Sequence, residues 1–281
     1  MCFRHTETVR LIKPIISKAM RILRSPGCSY SKDKGLDLHA PRSWKELTQD
    51  QLWYVFFLLS RFSTPEEVKT LMFLRFTGIQ VVMKIAGGAH CYIRNNGKGK
   101  KHYFDIQTWQ IQSLMHQFDY IDSYESMGVR LECIQGFHAV DVILKNVPFI
   151  DYLNMEQYYQ QFLKTKDSKF LDQLVCVMYR DEKGHAATMK PDDVERLATF
   201  FWFGYIKSFF GRLFPHFFKP VGEAQSKNVS FLTVANAQIR ALTDGDITKE
   251  EQVNNTDCLR ALTELNEKAR EAEEFRKKYG E

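Results

Sequence analysis

The chain has 281 residues, 44% hydrophobic and 26% charged, a balance that requires a packed core and excludes wholesale disorder. Its net charge of +5 sits at one end: residues 1–45 carry ten Lys/Arg against three acids, net +7, which leaves the remainder at −2. The body is therefore nearly neutral, which weakens a whole-protein case for nucleic-acid binding.

Six cysteines are scattered without a CxxC pair, which argues against a disulfide scaffold or a zinc knuckle and for free thiols. No uncharged apolar run reaches membrane-spanning length. The closest, residues 200–218, is broken by Lys207, Arg212, Pro215 and His216. The expected setting is cytosolic.

Residues 1–40 read as a basic N-terminal extension, loosely ordered. Helical apolar spacing over 15–23 carries Arg21, with Arg24 just beyond, and a Ser/Gly/Pro-rich stretch follows. A basic amphipathic helix of this kind lies on a membrane surface or on nucleic acid, or is simply solvated.

A mixed α+β body is expected over 41–225. Thr48-Gln-Asp-Gln51 is a capping-box pattern, and Thr64-Pro-Glu-Glu67 combines an N-cap, a first-turn proline and first-turn acids. Two helices joined by a short link predict a helical hairpin. Between Val81 and Phe104 the apolar period shortens. Strands at 90–94 and 101–105 flank a turn-rich basic tip, residues 97–101, with Lys98, Lys100 and Lys101. A helix is expected over 108–118. A second hairpin is predicted with strands over 129–134 and 139–144, and helices over 152–162 and 170–179. Pro191-Asp-Asp-Val-Glu195 then opens a ring-rich helix reaching about Leu213, ended by Pro215. Apolar nearly all round, that helix belongs in the middle of a core or at a self-association surface.

Residues 226–281 read as a C-terminal helical hairpin. One helix runs from Ser230 to Thr243, Asp244-Gly245-Asp246 breaks it, and Thr248-Lys-Glu-Glu251 restarts a long charged helix as a second capping box. Its apolar stripe (Val253, Leu259, Leu262, Leu265, Ala269) thins after Ala269. The last turns are thus expected to project or to dock on a partner through Arg270, Glu274, Arg276, Lys277 and Tyr279. The fold class is α+β, mainly helical, with two small antiparallel β-hairpins and this C-terminal helical hairpin.

Candidate chemistry is sparse. The eight histidines form no HxH, HExxH or HxxxH pair. His90 and His102, beside Cys91, face each other across the first hairpin only if the register allows, and two further ligands are lacking for a metal. Gly87-Gly88 and Gly97-Lys-Gly99 match neither GxxxxGK[ST] nor GxGxxG, and no GxSxG elbow occurs. Neither a cofactor nor a catalytic or metal site is expected, and the chain reads as a non-enzyme.

Residues 43–80 (SWKELTQDQLWYVFFLLSRFSTPEEVKTLMFLRFTGIQ) and 236–279 (NAQIRALTDGDITKEEQVNNTDCLRALTELNEKAREAEEFRKKY), with the run 200–218 between them, resemble a poorly characterised family of prophage and tailed-phage proteins of gut bacteria. The likeness covers most of 41–281 and none of the first 40 residues. It implies virion structure or tail assembly and brings no catalytic residues with it. The leading expectation is a non-enzymatic phage structural or tail-assembly protein working through protein–protein contacts. Its partners would be other phage structural or assembly proteins or further copies of itself, in the host cytoplasm during assembly and in the virion. The alternative is a nucleic-acid-associated phage protein using the basic terminus (Arg21, Arg24) and the hairpin tip (Lys98, Lys100, Lys101).

Overall fold

The computed structural model describes residues 28–31, 35–94, 99–219 and 230–280; Arg21, Arg24 and Lys98 lie outside them. Along the chain, β1 (Cys28–Ser31) and β2 (Gly35–Leu38) precede helices α1 (Gln49–Arg61) and α2 (Pro65–Thr77). A meander of β3 (Gln80–Ile85), β4 (Gly88–Arg94) and β5 (Lys101–Gln107) leads into α3 (Thr108–Met115). Short strands β6 (Cys133–Ile134) and β7 (Phe137–Ala139) come before α4 (Phe149–Thr165), α5 (Lys169–Met178), β8 (Tyr179–Arg180) and α6 (Asp193–Leu213). Helices α7 (Phe231–Thr243), α8 (Glu250–Asn254) and α9 (Cys258–Tyr279) complete the chain. The class is α+β and mainly helical, as its sequence predicts.

Local start signals explain where several helices begin. At α1, the Thr48 hydroxyl accepts from the Gln51 N–H at 3.3 Å while the Gln51 amide oxygen accepts from the Thr48 N–H at 2.9 Å. At α6, Asp192 and Glu195 close the same reciprocal pair at 2.8 and 2.9 Å. Helix α2 starts differently. Its Thr64 makes no side-chain cap, and Pro65 in the first turn supplies the pre-set φ instead.

The chain divides into two compact units, each interrupted in sequence: residues 1–42 with 62–119, and residues 43–61 with 120–281. Helices α1 and α2, expected as a hairpin, fall in different units.

In the first unit, β1 and β2 form an antiparallel ribbon, an element not expected in the basic extension. Helix α2 buries Val68, Met72, Phe73 and Phe76, and the Lys69 ammonium, 11% exposed, meets Asp119 at 2.6 Å. The predicted first hairpin is β4–β5, in register from Gly88↔Gln107 to Arg94↔Lys101, and β3 adds a third strand with a bulge between Val81 and Met83. That register separates the two histidines. His90 lies opposite Asp105 and His102 opposite Ile93, three rungs apart and on opposite faces of the sheet, so the two do not face each other. Gly88 allows the close strand approach, since a Cβ there would collide with the Ile106 carbonyl.

In the second unit, α6 is the central helix, with α1 and α5 packed against it. Trp202, Phe203, Ile206 and Phe210 are fully buried. The Trp202 ring sits edge-on to Tyr179, and its Nε1 donates to the Val142 carbonyl at 3.0 Å. Phe56 of α1 meets Phe201 of α6 edge-to-face at 5.6 Å.

The second hairpin is shorter than predicted: β6 and β7 pair over only two rungs, through Gln135 and Gly136 at φ 49° and 89°. Two successive positive φ values give the tight turn that matches strand twist. The apolar run after it does not extend the strand, because the Asp141 carboxylate accepts from the Ile143 and Lys145 N–H groups and folds 141–145 into a turn. A third strand, β8, completes this small sheet.

The C-terminal helices also depart from expectation at one point. Thr248 does not cap the long helix, because its N–H and its hydroxyl both donate to the Asp246 carboxylate, at 3.0 and 2.6 Å. A 3-10 turn and the short α8 follow, and the long helix starts afresh under Asp257, which accepts from the Arg260 N–H at 3.0 Å. No helix among the described residues is long and apolar enough to cross a membrane.

Candidate functional site

Helix α7 has the composition of a core helix and little of the burial. Eight of its thirteen residues are apolar, yet Ala235 is the only one of these eight fully buried. Leu232 is 65% exposed and Val234 42%. The apolar positions occur on more than one face, and neighbouring elements cover only part of them.

Between α7 and α9 runs a groove of about 490 Å³. Val234, Ala237 and Ala241 form the α7 wall, Leu265 and Ala269 the α9 wall, and Phe217 closes one side. Three of these six are alanines, so a second helix can approach the backbone closely there. The segment around Phe217 is held by Asn266 of α9, whose Oδ1 accepts from the His216 and Phe217 N–H groups at 3.0 and 3.2 Å. At the rim, Lys268 meets Asp244 at 2.5 Å, an exposed pair that lowers the Asp244 pKa through its hydrogen bond. Gln238, also in the wall, has a buried Oε1 with no hydrogen-bond partner among the described residues. A buried acceptor without a donor is unfavourable.

A larger cleft of about 1050 Å³ is lined from α4 by Tyr152, Glu156 and Gln160, from α6 by Lys207, and from α7 by Phe231; Val234 and Gln238 line it too. At its wall, Lys207 Nζ meets both Glu156 oxygens at 2.5 and 2.6 Å and lies over the Tyr159 ring. Burial raises the Tyr159 pKa to about 12. That phenol stays neutral at ordinary pH.

The residues expected to dock a partner lie on the last turns of α9. Glu274, Arg276, Lys277 and Tyr279 are exposed, while Arg270 is half-buried and holds Glu267 at 2.9 Å and Glu274 at 2.6 Å. Those pairs keep much of the charge within the helix. Sequence reasoning about charge missed the apolar half of this tip, Phe275, which is 65% exposed and packs on Tyr279 with ring centroids 4.6 Å apart. It also missed the groove, whose only sequence signal is the Ala237/Ala241 spacing on one helix face. Of the five residues named for nucleic acid, Lys100 and Lys101 are exposed at the start of β5, while Arg21, Arg24 and Lys98 fall outside the described residues.

Among the described residues, no group of three or more His, Cys, Asp or Glu side chains is arranged to hold a metal. Cys91 and Cys258 are buried free thiols whose pKa values burial raises, and Cys133 is an exposed free thiol. Comparison with known proteins finds no matching family model, no matching characterised relative and no matching solved structure.

Proposed function

We propose that the chain is a non-enzymatic docking protein that receives an amphipathic helix of another protein in the α7/α9 groove. Tailed-phage assembly is its setting, in the host cytoplasm and then in the virion. The observation that carries the reading is α7 itself. An isolated helix of this length is marginal in water, so α7 depends on packing, yet only Ala235 of its eight apolar residues is buried, and Val234, Ala237 and Ala241 line a groove of about 490 Å³. The exposed Phe275/Tyr279 pair, further along α9, gives a partner a second apolar contact. The phage setting rests on the sequence resemblance alone.

The test is co-expression of the full chain with the products of the genes that flank its own, followed by purification of the complex. Wild type is expected to carry a flanking product through purification. Ala241→Arg, which fills the groove with a charged side chain, is expected to lose it while melting within a few degrees of wild type. Co-purification that survives Ala241→Arg, or a wild-type chain that binds none of the flanking products, overturns the proposal.

A further inference from the structure

A different surface, on the β3–β4–β5 sheet of the first unit, carries its own chemistry. Strand alternation sends Ala89, Cys91 and Ile93 to a buried face and His90, Tyr92 and Arg94 to the opposite one. The register sets Asp105 beside His90, Tyr103 beside Tyr92 and Lys101 beside Arg94 on that open face. Tyr103, 56% exposed, sits at its centre, with its ring 5.6 Å from His90 at an interplanar angle of 7° and 5.7 Å from Tyr92.

The cations cluster at one end. Arg94, Lys100 and Lys101 are all exposed, and no carboxylate among the described residues pairs with them. Lys101 Nζ lies 4.5 Å over the Tyr92 ring, so this ammonium spans the boundary between the aromatic ladder and the basic end. At the other end Asp105 is engaged by His90 Nδ1 at 2.6 Å. The face thus grades from three uncompensated cations, through three rings, to a satisfied carboxylate.

From this arrangement we propose that the open sheet face binds single-stranded nucleic acid, with bases against the Tyr103-centred ladder and phosphates at the Arg94/Lys100/Lys101 end. Exposed rings on a sheet give π-faces that any base can stack on, and clustered unpaired cations give the electrostatic footprint of a phosphate chain. The Asp105 carboxylate repels phosphate and so fixes which end of the face the backbone tracks. A duplex keeps its bases stacked internally and offers the ladder nothing, so the preference is for single strands. This reading is independent of the groove between α7 and α9.

The experiment is fluorescence anisotropy of the full chain with labelled oligo-dT, oligo-U and a duplex of equal length, at low and moderate salt. Single strands are expected to bind more tightly than duplex, and oligo-dT against oligo-U tells which sugar is preferred. Tyr103→Ala is expected to weaken binding by about tenfold or more, and Tyr103→Phe to restore it, since stacking needs the ring and not the hydroxyl. Lys101→Ala should lower the slope of log affinity against log salt by about 0.7. Three outcomes overturn the proposal. They are no single-strand binding at low salt, equal affinity for Tyr103→Ala and wild type, and binding abolished by Arg21→Ala/Arg24→Ala with Tyr103→Ala unchanged.

Discussion

Trp202 joins several kinds of stabilising contact of the second unit in one side chain. It is fully buried in the middle of α6, its indole N–H satisfies the Val142 carbonyl, Tyr179 packs on its edge and the Arg130 guanidinium lies 5.5 Å above its ring. Trp202→Ala removes all of these at once and opens a cavity, at a cost of about 3–5 kcal/mol. Trp202→Phe keeps most of the apolar volume but leaves the Val142 carbonyl without its donor, costing roughly 1–3 kcal/mol. Chemical denaturation should rank the two in that order. A Trp202→Phe variant as unstable as Trp202→Ala would show that the hydrogen bond outweighs the packing.

At the scale of elements, Asp257 is a joint as well as a cap. One carboxylate oxygen accepts from the Arg260 N–H at the start of α9, the other from the Asn146 N–H at 2.5 Å. Around it, Cys258 N–H donates to the Val147 carbonyl and Phe149 N–H to the Thr256 carbonyl, both at 2.8 Å, so the starts of α9 and α4 are stitched together. Asp257→Ala removes a helix cap worth about 1 kcal/mol and leaves the Asn146 N–H without its carboxylate, so a total loss of roughly 2–4 kcal/mol is expected by thermal or urea unfolding. Asp257→Asn should recover part of it.

Further along α9, Glu273 binds Lys219 and lies 3.3 Å from His216, and the Lys219 hydrogen bond, then that of His216, lower its pKa. Because the folded value lies below the usual glutamate value of about 4.3, the contribution is present above that pH and is lost as pH falls through the lower folded value. A carbon-13 NMR titration should place the Glu273 midpoint below about 4.3 and show it rising in Lys219→Ala.

What was legible at this scale follows locality. The Thr48 capping box joins residues three apart and is legible in the sequence; the Asp192–Glu195 pair, read only as first-turn acids, and the Asp257 cap, for which Thr248 stood in, have the same spacing. The sequence offered Thr248 as the rival start for α9, and its hydroxyl was taken by Asp246 two residues earlier. The run 139–144 reads as strand because β-branched residues favour it, but the Asp141 carboxylate claims two backbone N–H groups. Short-range side-chain competition decided both cases, and periodicity does not record it. The α7/α9 groove was invisible for another reason. Apolar positions along a helix do not say whether a neighbour covers them, and the Tyr103 ladder depends on a cross-strand register that no single strand reveals.

At the scale of the whole molecule, the chain passes between its two units at residues 42, 61 and 119, and the body expected as one stretch over 41–225 is shared between them. The first crossing falls close to the end of the basic stretch, residues 1–45, whereas no composition shift marks the crossings at 61, the end of α1, and 119, within the 3-10 turn His116–Asp122. Within the basic extension, β1 and β2 pair as an antiparallel ribbon.

The place of α1 has a consequence for how this chain is made. Its buried face, Leu52, Val55, Phe56 and Leu58, finds its main partner in α6, which begins roughly 130 residues later. Ribosomes add about 5–20 residues per second, so α1 waits on the order of ten seconds before α6 exists. Residues 62–119 emerge in that interval and complete the unit to which residues 1–42, with β1 and β2, already belong. During synthesis the nascent chain therefore presents a finished small unit tethered to an apolar helix without a mate, the kind of species that holding chaperones capture.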